Sequence, residues 1–571
     1  MRVRSTLDEL LTQTLGAPAV VRVAAKPEFG HYQANGVMGE AKKRKTNPRE
    51  LAQTLVADAP AEVQSMCASL EVAGPGFVNL KLSDEFLLGQ LGAIAADARR
   101  GTVETEAKRT VVVDYSSPNV AKPLHVGHLR STILGDAIVR VLRFLGHNVV
   151  GDNHVGDWGT QFGMLIVGFR KWGDRDALAA HATDELERVY RLANDAAKED
   201  GQITEEARAE LAKLQAGDPD NRALWDEFIA ASQSETQKIY NRLNVALGTE
   251  EWRGESTYHD RLGPLVDKLL ADGVAREDEG AVLIYFDDDK QLADKPFMIR
   301  KSDGAFNYAT TDLATIAFRL QTWNADEMVY VVDKRQSLHF RQLFAAAAAV
   351  GWSCVFKHIS FGAILGPDGR PIKTREGGTV RLADLLAEAV ERARKIIEEK
   401  NPDLSPDERE QVAEMVGVGA VKYADLSQNR NSDYRFDWEK LLAFDGNTAP
   451  YLQYVHARIH SIFRKMDLPF DAASWDADDL GAFEHDSERA LALMQVRLAD
   501  VLDDVVEDYY PNMLTDHLFN LAQAFNAFYR DCPVQSSTGA TRNRRLSLCL
   551  NTAEQIRLGL DLLGIQAPKR M

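Results

Sequence analysis

The chain has 571 residues, 45% hydrophobic and 27% charged, with a formal net charge of −18. That length exceeds one core and predicts roughly three to four domains, in the composition range of an ordinary globular protein. The acidic balance argues against a protein that simply coats nucleic acid, though local basic patches such as Lys42–Lys45 and Arg542–Arg545 leave room for RNA contacts.

Residues 1–108 read as a small α+β module. Leu7, Leu10, Leu11 and Leu15 have the spacing of one helical face, and Asp8 and Glu9 within that pattern argue against a signal peptide. A helix is predicted over roughly 48–70. Gly74-Pro-Gly followed by alternating Val78, Leu80 and Leu82 predicts a turn and a strand. The charged stretch from Arg99 to Lys108 has the character of a linker.

From Thr110 the pattern becomes α/β. The apolar strand Val111–Val113 runs into Asp114-Tyr-Ser-Ser-Pro-Asn-Val-Ala-Lys-Pro-Leu-His-Val-Gly-His128. A helix follows, with its apolar stripe at Leu134, Ile138, Val141, Leu142 and Leu145 and Gly146 at its close. Val149-Val150 begins the next strand. The order is βαβ, whose ligand site is expected at the carboxyl ends of the strands. A polar helical insertion covers about 174–245, and further strands are expected at 281–285, 327–332 and 358–361. The longest apolar run, Leu343 to Val350, is mostly alanine and far short of the roughly 18 residues a membrane span needs. From Leu441 onward, stripes such as Tyr451, Tyr454, Val455, Ile459 and Ile462 predict a helical bundle. The predicted division is 1–108, 109–440 and 441–571. Cys67, Cys354, Cys532 and Cys549 are far apart with no C-x-x-C pair, which predicts reduced thiols in a cytoplasmic protein.

His125 and His128 stand at a strand–helix junction, where free backbone N–H groups and the positive end of the helix dipole favour phosphate. A pair of capping or core histidines is the plainer alternative. Zinc is another, but it needs a third ligand, and His154 would have to come from a different strand without supporting pattern. The Ser116-Ser-Pro-Asn-Val-Ala-Lys context after a buried strand favours phosphate chemistry. Each imidazole would then donate to phosphate oxygens as charge builds in the transition state. No G-K-[ST] phosphate loop and no G-x-S-x-G elbow occurs.

Ser116 to Thr132 resembles the His-Ile-Gly-His region of class I aminoacyl-tRNA synthetases, and most closely that of the arginyl-tRNA synthetases. Gly151-Asp-Asn-His-Val-Gly-Asp-Trp-Gly-Thr-Gln-Phe-Gly163, Phe306-Asn-Tyr-Ala-Thr-Thr-Asp312, Gly417 to Asp425, Asn447-Thr-Ala-Pro-Tyr451 and the terminal Arg570-Met571 also match. The resemblance covers essentially the whole chain. It implies a Rossmann-like catalytic core with a helical insertion, an α+β N-terminal domain that reads the tRNA elbow and an all-α anticodon-binding bundle.

It also implies a reaction. L-arginine's carboxylate attacks the α-phosphate of Mg-ATP to give arginyl-adenylate and pyrophosphate, and arginine then passes to the 3′-terminal adenosine of tRNA(Arg). The family generally needs tRNA for the first step. His125 and His128 are the implied catalytic pair, with Gly127 in the ATP site. A guanidinium is a planar fork of donors, so its pocket should hold carboxylates; Asp114 and Asp312 are the candidates by motif position, with Tyr308 one turn before Asp312 on the same face. Ser117, Asn119 and Gln336 carry over as contacts to the amino acid's amino and carboxylate groups, Gln342 being a near competitor for the last. Magnesium enters with ATP, and no protein metal site is expected.

The second class I motif, Lys-Met-Ser-Lys-Ser, is degenerate here, the loop reading Leu365-Gly-Pro-Asp-Gly-Arg-Pro-Ile-Lys-Thr-Arg-Glu-Gly-Gly-Thr379. Thr374 takes the place of the second lysine, with Lys373 and Arg375 beside it. Many arginyl enzymes show this departure, for which a lysine just before His-Ile-Gly-His is thought to compensate; Lys122 is that lysine. The insertion is too small for an editing domain, in keeping with a pocket that rejects analogues through hydrogen bonds. For RNA, the resemblance points to Phe77 and Asn79 at the elbow and to Tyr451, Tyr454 and Arg458 in the bundle, with core packing as the competing role for the aromatics. A monomer is the family habit. Two other readings compete: an adenylating enzyme of the same superfamily without RNA, disfavoured by the two flanking modules, and a silent tRNA-binding paralogue, disfavoured by the intact Asn119, Lys122, His125 and His128.

Overall fold

The computed structural model describes residues 2–199, 201–366, 368–370, 372, 380–471 and 479–571. Its chain falls into two compact units, one of residues 1–105, 393–423 and 439–571, the other of residues 106–392 and 424–438.

In the first unit, β1 (Val21–Val23), β2 (Tyr32–Ala34), β3 (Cys67–Ala73) and β4 (Phe77–Leu82) form an antiparallel sheet in the order β1-β2-β4-β3. Along β4, Val78, Leu80 and Leu82 are buried and alternate with residues on the opposite face, as their period of two requires. The helix expected over 48–70 is divided. It runs Pro48–Ala57 and then Ala61–Met66, and residues 67–73 are strand. Pro60 explains the break: it lacks an N–H and disfavours helical backbone at the residue before it.

The same unit holds the bundle helices Ala449–Lys465, Asp486–Gln495, Leu498–Asp508, Asn512–Asp531 and Gly539–Leu562. The stripe Leu514, Leu518, Leu521, Phe525 and Phe528 is entirely buried. Arg4 reaches Asp504 through two bonds of 2.6 and 2.7 Å, and Arg489 chelates Asp84, so the N-terminal module packs on this bundle with charged anchors. The patch at Arg542–Arg545 is no open basic surface. Arg544 and Arg545 are buried and paired with Glu488.

The second unit is built on a parallel sheet of β5 (Thr110–Asp114), β6 (Asn148–Val155), β7 (Trp252–Gly254), β11 (Glu327–Tyr330) and β12 (Val355–His358), in the order β12-β11-β5-β6-β7. A separate antiparallel sheet contains β8 (Ala275–Asp278), β9 (Ala281–Ile284) and β10 (Phe297–Arg300). The strand expected at 358–361 lies earlier. His358 is its last residue, because it pairs with Tyr330 where β11 itself ends. The insertion is helical, as predicted, with Ala182–Glu199, Gly201–Gln215 and Pro219–Arg242 as its longest elements. Among the described residues no helix is long and apolar enough to cross a membrane.

Candidate active site

Strand β5 leads through a turn into the helix Val126–Phe144, and His125 becomes that helix's N-cap. The two histidines cap it reciprocally. His125 Nδ1 accepts the N–H of Gly127 at 3.0 Å, and His128 Nδ1 accepts the N–H of His125 at 3.2 Å, with ring centroids 3.9 Å apart. A neutral imidazole whose Nδ1 accepts a bond carries its proton on Nε2. Burial lowers both histidines, with the Lys122 charge adding to it, and His128 falls to about 3. Each ring is therefore neutral and offers one Nε2–H.

The expected free backbone N–H groups are not available at this helix start. Val126 donates to the Val380 carbonyl at 3.1 Å, His128 to the His125 carbonyl at 2.8 Å, and Gly127 to the His125 ring. The cap uses the donors that a bare N-terminus would leave open, so at the positive end of the dipole the imidazoles are the donors. Capping and phosphate binding are compatible roles rather than rivals. Gly127 makes the arrangement possible, since a Cβ there would lie 2.7 Å from His125 Cε1.

The turn between β5 and the histidines is strained. Ser116, Ser117 and Ala121 have φ of 71°, 46° and 66°, a region side-chain-bearing residues seldom adopt. A buried network imposes it. Ser116 N–H donates to Ser131 Oγ (2.9 Å), its hydroxyl meets Thr132 (2.8 Å) and Tyr240 (2.7 Å), and Ser117 N–H donates to Asn153 Oδ1 (2.9 Å). Asn119 lies against Gly156, where any Cβ would come within 2.3 Å of its Oδ1.

The site lies at the carboxyl ends of the strands, as the βαβ order predicts: Asp114, Asp152, Tyr330 and His358 align in register across β5, β6, β11 and β12. Asp114 and Asp152 are buried neighbours that would repel each other. The fully buried Arg319 lies 2.6 Å from Asp114 and 2.8 Å from Asp152, while the other Asp114 oxygen accepts the Ser117 hydroxyl at 2.8 Å.

The two predicted guanidinium partners thus have different surroundings. Asp114 is bonded within the chain through both oxygens. Asp312 sits 2.6 Å from His339 and 3.9 Å from His154, and the exposed Tyr308 ring meets His339 edge-on at 4.9 Å. Sequence reasoning missed the carboxyl beside them, Glu255, which burial and the neighbouring Asp312 and Asp157 push up to about 7 against the opposing pull of His154. Asp157 is held by the N–H and hydroxyl of Ser256 at 2.8 and 2.6 Å. A cation with forked donors fits such a cluster. Arg319 carried a signal that went unread: it stands seven residues after Asp312, two turns on along the same helix face.

Gln336 is exposed in a short turn just after β11, whereas Gln342 donates to the Lys295 carbonyl at 2.9 Å. Lys122 is exposed, with Nζ 5.9 Å from the Tyr190 ring centre. Lys373, Thr374 and Arg375 lie outside the described residues. In the first unit, Phe77 is only partly buried and Asn79 accepts the Gln33 amide at 2.7 Å on the sheet face opposite Val78 and Leu80. Tyr451 is buried and its hydroxyl accepts from Asn526 at 2.7 Å, so packing accounts for it. Tyr454 is 40% exposed, and Arg458 lies over its ring and that of Tyr529, at 5.7 and 4.9 Å. These three border a groove of about 450 Å³.

Comparison with known proteins bears on the whole chain. Residues 90–438 match the model for the class I (R) tRNA synthetase catalytic domain, residues 2–82 that for the arginyl tRNA synthetase N-terminal domain, and residues 452–571 that for the DALR anticodon binding domain. An arginine–tRNA ligase of Laribacter hongkongensis is 44% identical over 99% of this chain and 100% of its own. One from Chromobacterium violaceum is 45% identical over 97% of this chain and 96% of its own. Among solved structures, arginyl-tRNA synthetases of Thermus thermophilus and Plasmodium falciparum each superpose with a TM-score of 0.85 at 28% identity, covering 100% of this chain and 100% and 99% of theirs. The chain belongs to the class I arginyl-tRNA synthetases.

Proposed function

We propose the following division of labour for the arginine–tRNA ligase reaction in this chain. L-arginine's carboxylate attacks the α-phosphate of Mg-ATP, pyrophosphate leaves, and the activated arginine passes to the 3′-terminal adenosine of tRNA(Arg). The Nε2–H groups of His125 and His128 hold the phosphates as charge develops, over the backbone at Gly127. Lys122 supplies a cation beside them, and Lys373, Thr374 and Arg375 supply the remaining nucleotide contacts. Arginine's guanidinium is received by Asp312 and Tyr308 with Glu255, and Asp114 lends its charge from below through Ser117. Ser117, Asn119 and Gln336 take the amino and carboxylate groups.

Residues 1–108 read the tRNA elbow through Phe77 and Asn79, 109–440 carry out activation, and 441–571 meet the anticodon. There Tyr454 and Arg458 face the groove and Tyr451 supports them from the core. We place the protein in the cytoplasm as a monomer.

The observation that carries this reading is the hydrogen bonding of the histidine pair: both Nδ1 atoms accept backbone N–H groups, which leaves one Nε2–H on each neutral ring. ATP–pyrophosphate exchange with arginine tests it. Exchange that requires both arginine and tRNA(Arg) is expected, and exchange with other amino acids only would overturn the substrate. Lys122→Ala should slow adenylate formation more than Lys373→Ala, and equal losses in single-turnover activation would refute that order.

A further inference from the structure

The helix that carries the two histidines buries a full charge in its second turn. Arg130, two residues after His128, is 1% exposed. Its Nε donates to Asp425 Oδ1 at 2.9 Å, and its Nη1 donates to the carbonyls of Gly362 (2.8 Å) and Ser432 (3.1 Å). The guanidinium carbon lies 5.7 Å from the Phe361 ring centre and 5.3 Å from that of Tyr434. Asp425 is fully buried and closes the Gly417–Asp425 stretch, to which no role is yet attached.

The two carbonyls belong to the approaches of two short strands. β13 (Ile364–Leu365) and β14 (Tyr434–Arg435) pair in parallel, Ile364 beside Tyr434 and Leu365 beside Arg435. Gly362 and Ser432 each lie two residues before those partners. After β13 the Gly366 N–H donates to the Arg370 carbonyl at 2.7 Å. One guanidinium therefore ties the histidine helix to the base of both strands.

Stability alone is a weak reason for such a hub, since well-packed apolar side chains of similar volume often serve as well as a buried ion pair. Directionality is a better one. Arginine's planar fork fixes several acceptors at set angles, which neither lysine nor an apolar residue reproduces. Arg130 is also less than one helical turn from His128, so a change in its anchorage is passed to the imidazole with little slack.

We propose that Arg130 and Asp425 are positioning residues for adenylate formation. They register the His125–His128 helix against β13 and β14, and so set the position from which the imidazoles act on the phosphates. This rests on the assignment of the histidines to phosphate, and the test separates the two claims.

The experiment is a double-mutant cycle on the full-length enzyme, read by arginine- and tRNA-dependent ATP–pyrophosphate exchange. His128→Ala alone tests the phosphate reading. If it leaves exchange unchanged, that reading fails whatever Arg130 does. Arg130→Lys alone is expected to lower kcat about 100-fold, as a displacement of about 1 Å can, with KM for arginine nearly unchanged. In the His128→Ala background the same substitution should have a smaller further effect, because one of the two imidazoles it positions is gone. Full additivity of the two losses, or a loss confined to KM, would overturn the proposal. Asp425→Asn, which keeps the side chain's shape, replaces Arg130→Lys in the cycle if the lysine variant does not fold, and the same non-additivity is expected.

Discussion

His128 Nδ1 accepts the backbone N–H of His125, and the His125 ring bends back to accept that of Gly127, so a backbone N–H of the helix start fixes each tautomer. His128→Ala should therefore have two separable effects. Loss of the cap should lower stability by about 1 kcal/mol, a small shift in thermal unfolding. Loss of the phosphate donor should slow single-turnover activation by about 10²–10³-fold, with tRNA binding near normal.

Gly127→Ala should uncouple stability from activity. In an open helix the change would stabilise by roughly 0.5–1 kcal/mol, and no fall in melting temperature is expected. The new Cβ nevertheless meets the His125 ring at 2.7 Å and must displace it. Activation should fall about 100-fold. A variant that is both stable and active would show that the folded-back ring is dispensable.

Arginine binding should be linked to a proton on Glu255. Its carboxyl is raised from 4.5 to about 7 in the free enzyme, so near pH 6 it is mostly protonated. A bound guanidinium favours the carboxylate, and binding below pH 7 must expel that proton. Affinity should therefore rise about tenfold per pH unit up to pH 7 and level off above it. The sign for folding is the reverse: a raised carboxyl contributes stability at low pH that is lost as pH rises through 7. Titration calorimetry in buffers of different ionisation enthalpy would register the released proton, and Glu255→Gln should abolish it.

Arg319→Met should be among the most damaging single changes in the second unit. It leaves Asp114 and Asp152 buried side by side without their cation, a situation that typically costs about 3–5 kcal/mol. Denaturant unfolding measures it. Asp152→Asn added to Arg319→Met should recover part of the loss by removing one of the stranded charges.

The strand–turn–helix junction is legible in the sequence because its parts are local: a β-branched strand, a polar turn and a helical stripe within about thirty-five residues. Tyr308 and Asp312 are legible for the same reason, being one turn apart on one helix. Glu255 and Arg319 are not. Their meaning comes from Asp157, Asp312, Asp114 and Asp152, which reach them across 98, 57, 205 and 167 positions of chain. No period or spacing encodes such encounters. The division of the 48–70 helix was readable at Pro60 but was masked by the strength of the flanking helical pattern. Conversely, the Arg542–Arg545 run reads as a local basic patch until Glu488 is seen beneath it.

The left-handed serines at 116 and 117 have one more consequence. Their backbone N–H groups are held by Ser131 from the following helix and Asn153 from β6, and the Ser116 hydroxyl by Thr132 of that helix and Tyr240 of the insertion, elements that come from three parts of the chain. The turn is thus not portable. Grafting residues 114–128 onto another parallel sheet would transfer the letters of the motif without its shape. A nascent chain, likewise, gains a competent turn only after the insertion has been made and packed, so catalytic competence reports that the fold around it is complete.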